Sequence, residues 1–110
     1  MDERTPQHPE SPYGITKLAS EYYLRFWKEM HGLDFTALRY GNVYGPRQDP
    51  TGEAGVIAIF TRQILLGIPV RIDWDGDQQK DYVYVRDVAR ANRAALDKGS
   101  GEAFCIATGF

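Results

Sequence analysis

The chain has 110 residues, 43% of them hydrophobic and 25% charged, with a formal net charge of -2. That is enough for one small domain with a core, so disorder is excluded as the default, and the mild acidity offers no field for nucleic acid or an anionic membrane. A single cysteine, Cys105, rules out an internal disulfide; with His8 and His31 it shows no metal-ligand spacing, so no metal is expected.

Residues 1–10 carry two prolines and read as an extended arm, not a signal peptide. Ser11-Pro12 has the form of a helix start: serine caps free N–H groups and proline suits the first helical position. Ile15, Leu18, Tyr22, Phe26 and Met30 follow at helical spacing, and His31-Gly32 ends the helix. Tyr22, Tyr23, Phe26 and Trp27 widen its apolar arc, which predicts burial by more than one neighbour.

Residues 34–40 read as a strand and 41–55 as a long loop of the kind that carries function. Residues 56–66 form an apolar-faced helix, closed by Gly67 and Pro69. Val70 to Asp73 is a strand candidate, and 74–81 a polar turn. Tyr82 to Val85 is a further strand, and Asp87 is expected to cap a helix running to about Leu96 or Lys98. Gly99-Ser100-Gly101 is a hinge before a last strand over 103–107. Alternating strands and helices predict an α/β fold with a mainly parallel sheet and flanking helices. No linker divides the chain. Arg86, Arg90 and Arg93 form a basic stripe, read as a solvated helix face, and Cys105 reads as a small buried residue. No apolar run is long enough to span a bilayer. A cytoplasmic location is expected.

Tyr13 and Lys17 lie four apart on the first helix and share a face. A phenol with a normal pKa near ~10 is a poor base at neutral pH. A neighbouring ammonium favours the phenolate, which makes such a pair a candidate acid–base group. The spacing by itself is weak, because the chain has seven tyrosines.

The surrounding blocks are more specific. Ser11-Pro12-Tyr13-Gly14-Ile15-Thr16-Lys17-Leu18-Ala19-Ser20-Glu21 resembles the active-site helix of the extended short-chain dehydrogenases, the NAD-dependent epimerase/dehydratase family. Leu38-Arg39-Tyr40-Gly41-Asn42-Val43-Tyr44-Gly45-Pro46-Arg47-Gln48-Asp49-Pro50 follows in the family's order. So do Gly52 to Phe60 and Lys80-Asp81-Tyr82-Val83-Tyr84-Val85-Arg86-Asp87-Val88. The run from Arg39 to Phe60 is similar to nucleoside-diphosphate-sugar 4-epimerases.

This resemblance implies a partial Rossmann-like fold plus part of a substrate-binding domain, in one fragment spanning 1–110. Tyr13 would be the catalytic acid–base residue for the sugar 4-hydroxyl, and Lys17 would hold the nicotinamide ribose. Tyr13, Lys17 and Tyr40 would face NAD, the implied cofactor. Asn42, Val56, Lys80 and Tyr82 would face a UDP-sugar substrate. Hydride would pass from sugar C4 to NAD and return to the other face, inverting that carbon. Lys80 stands where the family usually has an arginine on the diphosphate; it keeps the charge but loses the bidentate fork. The resemblance also implies a homodimer through the Tyr13–Lys17 helix.

The glycine-rich loop that brings backbone to the NAD pyrophosphate does not occur in the 110 residues. The isolated chain is therefore expected to bind NAD poorly and to be inactive. Two alternatives stand beside the epimerase reading: a related dehydratase, decarboxylase or reductase, and a non-catalytic interaction module derived from such an enzyme.

Overall fold

The computed structural model describes residues 2–51 and 55–109. Seven elements occur among them: α1 (Pro12–His31), β1 (Thr36–Tyr40), β2 (Asn42–Tyr44), α2 (Val56–Leu65), β3 (Tyr82–Tyr84), α3 (Val85–Ala95) and β4 (Glu102–Ile106). β1 pairs with β4, and β2 with β3. The chain forms two compact units, one of residues 1–39 and 91–105, the other of residues 40–90 and 106–110.

In the first unit, α1 begins and ends where its terminal residues dictate. The Ser11 hydroxyl accepts the Gly14 N–H at 3.1 Å. At the other end Gly32 adopts φ 67°, a left-handed conformation that costs glycine little. Its N–H returns to the Lys28 carbonyl at 2.9 Å. The covered face of α1 is not the expected apolar stripe. Leu18, Glu21, Leu24 and Lys28 are half-buried, whereas Ile15, Tyr22, Tyr23, Phe26, Trp27 and Met30 are exposed. Polar ties secure the covered face. The Arg39 guanidinium donates Nε to Glu21 Oε1 at 2.7 Å and Nη2 to Oε2 at 2.6 Å. This two-pronged, largely shielded contact holds the Glu21 carboxyl below the usual carboxylate range. Lys28 donates to Ser100 Oγ at 3.1 Å, and Ser100 in turn donates to Asp34.

β1 buries Ala37 in this unit. The arm ahead of α1 turns at residues 2–5 and is tethered to β4, with Glu3 Oε1 accepting the Cys105 N–H at 2.8 Å. Cys105 is half-buried rather than enclosed.

In the second unit, β2 and β3 run parallel, with Asn42, Val43 and Tyr44 opposite Tyr82, Val83 and Tyr84. A parallel pair requires a long crossover, and the connection here contains α2. Val83 is only 4% exposed and, with Val88 on α3, forms the buried part of this unit. Tyr44 packs edge-on against Tyr82 at 6.5 Å between ring centres.

Three local expectations change. Residues 42–44, read as the start of a loop, form β2. Residues 70–73 form no strand: Ile72 is exposed, and Arg71 pairs instead with Asp73 two residues on, at 2.7 Å. Asp87 does not cap α3, which follows β3 directly at Val85; Asp87 lies in its first turn, where its charge complements the helix dipole, and it pairs with Arg90. Gly52-Glu53-Ala54, part of the family-like run, lies outside the described residues.

Candidate functional site

The first turn of α1 presents Tyr13 to solvent at 72% exposure. The Ser11 cap and Pro12 fix the start of the helix, so residues one turn apart, Tyr13 and Lys17, must project from the same side. The Lys17 ammonium sits over the Tyr13 ring, 5.1 Å from its centre. This is a cation–π contact with the ring face. Among the described residues, neither the Tyr13 hydroxyl nor the Lys17 ammonium makes a hydrogen bond or ion pair, so their polar groups are available to a ligand.

The second unit contains a cavity of about 460 Å³. Four residues expected from the sequence to face substrate, Asn42, Val56, Lys80 and Tyr82, all line it. They come from the start of β2, the first residue of α2, the turn before β3 and the first residue of β3. Parallel pairing explains half of this: Asn42 and Tyr82 are register partners at the same end of the pair. Tyr40, expected beside the cofactor, belongs to the same unit but is absent from the cavity wall. Tyr13 and Lys17 belong to the other unit.

The cavity has a cationic and amide character suited to an anion. Lys80 is exposed and has no hydrogen-bond or ion-pair partner among the described residues. α2 starts at Gly55, which offers no side-chain cap, so the first N–H groups of the helix have no side-chain acceptor from that position. Gln48, not singled out from the sequence, completes one wall. Its Nε2 donates to the Val43 carbonyl at 3.3 Å, and its Oε1 is buried without a partner. A side chain at Gly55 would sit 2.8 Å from that Nε2, so the missing Cβ makes room for the amide.

Nothing in the sequence singles out Asp81. Its Oδ1 accepts from the Thr108 N–H and hydroxyl, both at 2.8 Å, and its Oδ2 accepts from the Gly109 N–H at 2.9 Å. The backbone N–H of Thr108, followed by that of Gly109, holds this carboxyl below its ordinary range. No sequence signal marks these contacts, because the partners lie 27 and 28 residues away.

Among the described residues no cluster of His, Cys, Asp or Glu could hold a metal ion, and no helix is long and apolar enough to cross a membrane.

The chain is 45% identical over 108 residues to UDP-glucose 4-epimerase of Mycolicibacterium smegmatis, covering 97% of this chain and 34% of that protein. It is 34% identical over 106 residues to a dTDP-glucose 4,6-dehydratase of an Actinoplanes species, covering 96% of this chain and 32% of the relative. Among solved structures, UDP-glucose 4-epimerase of Thermotoga maritima with UDP-glucose superposes with a TM-score of 0.93 at 58% identity, over 94% of this chain and 33% of that one. The chain thus spans about a third of the length of the relatives it matches, and its α/β arrangement is a part of their Rossmann-like fold. Residues 1–107 match the model of the NAD dependent epimerase/dehydratase family, and the chain belongs to that family.

Proposed function

We propose that the protein carrying this chain is an NAD-dependent nucleoside-diphosphate-sugar 4-epimerase of the UDP-glucose type. The observation that carries the reading is that Asn42, Val56, Lys80 and Tyr82 all line one cavity. An uncommitted ammonium, a carboxamide and an uncapped helix start are the donors a sugar diphosphate requires. The 58% identity to an epimerase solved with UDP-glucose supports that ligand class.

Tyr13 is the acid–base residue in this reading. Its oxygen, as phenolate, would take the proton from the sugar 4-hydroxyl and, as phenol, give it back to the 4-keto oxygen when the hydride returns. Lys17 would hold the cofactor through its ribose, with Tyr40 as a further contact. The free polar groups of Tyr13 and Lys17 fit such a ligand; the pyrophosphate cradle is not among these 110 residues. NAD, when bound, supplies the reversible hydride acceptor. The substrate contacts fall to Asn42, Lys80 and Tyr82, with Val56 placing the start of α2.

Incubation of the whole protein with UDP-glucose tests the reaction. UDP-galactose as product supports the reading, whereas a 4-keto-6-deoxy product from a nucleotide sugar replaces it with the dehydratase reading that the Actinoplanes relative supports. For the 110 residues alone, calorimetry is expected to give no tight NAD binding and assays no turnover; tight binding would refute the fragment reading. The exposed aromatic side of α1 further supports a homodimer formed through that helix. Trp27→Glu is expected to yield monomer by sedimentation, and a persistent dimer rejects this interface.

A further inference from the structure

We propose that Asp81 is a positioning residue for the cavity, aiming the Asn42 carboxamide at the ligand. The purpose assigned to it rests on the sugar-nucleotide reading above. The main-chain carbonyl of Asp81 accepts two bonds from one residue: the Asn42 N–H at 2.7 Å and the Asn42 Nδ2 at 3.2 Å. A carboxamide nitrogen carries two hydrogens. One is spent on Asp81 and fixes the plane of the amide; the other remains for the ligand.

This arrangement works only if the Asp81 carbonyl is itself fixed, and its own side chain does that. The carboxylate accepts three bonds from Thr108 and Gly109. Just ahead of those residues, the Ile106 carbonyl accepts the Gly41 N–H at 3.0 Å. Asp81 therefore closes a ring of contacts through residues 41–42, 81 and 106–109. Gly41 is part of that ring: a Cβ there would lie 2.9 Å from the Asp81 carbonyl oxygen, so only glycine allows the close approach. Asp81 also separates two wall residues, Lys80 and Tyr82, and fixing it fixes the chain that carries both.

The test uses the ¹⁵N-labelled whole protein that carries this chain, with uridine diphosphate as the probe. In Asp81→Ala the side-chain amide signals of Asn42 should shift, and affinity for the probe should fall about tenfold, a change of ~1.4 kcal/mol. Backbone signals of α1 should stay in place, which separates loss of aim from general unfolding. Asp81→Asn, which retains an acceptor oxygen, should show both effects to a smaller degree. Unmoved Asn42 amide signals in Asp81→Ala overturn the proposal. A wild-type protein that ignores the probe while Asp81→Ala moves those signals supports the positioning role and overturns the nucleotide reading. If Asp81→Ala does not fold, Thr108→Val, which removes only the hydroxyl donor, takes its place. A smaller shift of the same signals then supports the proposal, and no shift overturns it.

Discussion

The two units are organised by different kinds of interaction. α1, in the first, is a local structure: its cap, its proline and its terminal glycine act within a few residues of each other. The cavity in the second unit is assembled from afar, with wall residues drawn from positions 41–44, 48, 55–57, 80 and 82. The helix is long and sharply bounded yet leaves most of its aromatic side open. The strands of the cavity region have three residues each, too few to be stable without their partner, yet they hold Val83, one of the most enclosed side chains in the chain. Length of an element is thus no guide to how deeply it is buried.

The largest expected effect tests the helix as a chemical platform. In the whole protein, Tyr13→Phe should lower kcat of the proposed epimerisation by about 10²–10⁴-fold, the usual scale of a lost acid–base group. The hydroxyl makes no hydrogen bond among the described residues, so the melting temperature should barely change. Full activity in this variant would remove Tyr13 from the chemistry.

A second test strikes a strong tie between α1 and β1, the Arg39–Glu21 pair. Glu21→Ala removes both bonds to Arg39 and should cost about 1.5–3 kcal/mol in urea unfolding, the range for hydrogen bonds to charged groups. The same pair predicts a pH dependence. The folded-state pKa of Glu21 is lowered by Arg39, so its contribution is complete above the unfolded value near ~4.3 and disappears as pH falls through the lower folded value. Thermal melts between neutral and strongly acidic pH should therefore lose less in Glu21→Gln than in the wild type.

Two further substitutions set remote against local assembly. Gly41→Ala forces a methyl against the Asp81 carbonyl and should cost about 1–3 kcal/mol, as overpacking usually does. Faster amide exchange should be confined to residues 41–44 and 81–84. Ser11→Ala removes only a cap, at about 1 kcal/mol, and should fray only the first turn of α1. If Ser11→Ala loosens the cavity strands as well, the division drawn here between the units is wrong.

These differences explain what could be read in advance. Ser11-Pro12 and His31-Gly32 marked α1 to the residue, because caps and terminal glycines act on adjacent backbone. The four spaced blocks identified the family, and the family model matches over 1–107. The apolar spacing of Ile15, Tyr22, Phe26 and Met30 did not identify the covered side of α1. Periodicity reports which side chains could be buried, while the neighbour that buries them is a separate matter. Val70 to Asp73 had strand composition yet joined neither strand pair, whereas three residues of the supposed loop paired with β3.

From its residues alone, then, the chain specified its helices, its α/β character and the groups able to donate to an anion, since these depend on chemistry a few residues apart. Only the folded structure decided that β2 would meet β3 and that Asn42, Val56, Lys80 and Tyr82 would share one wall. Strand pairing across some forty residues is settled by competition among many remote partners, and no short stretch of sequence records its outcome.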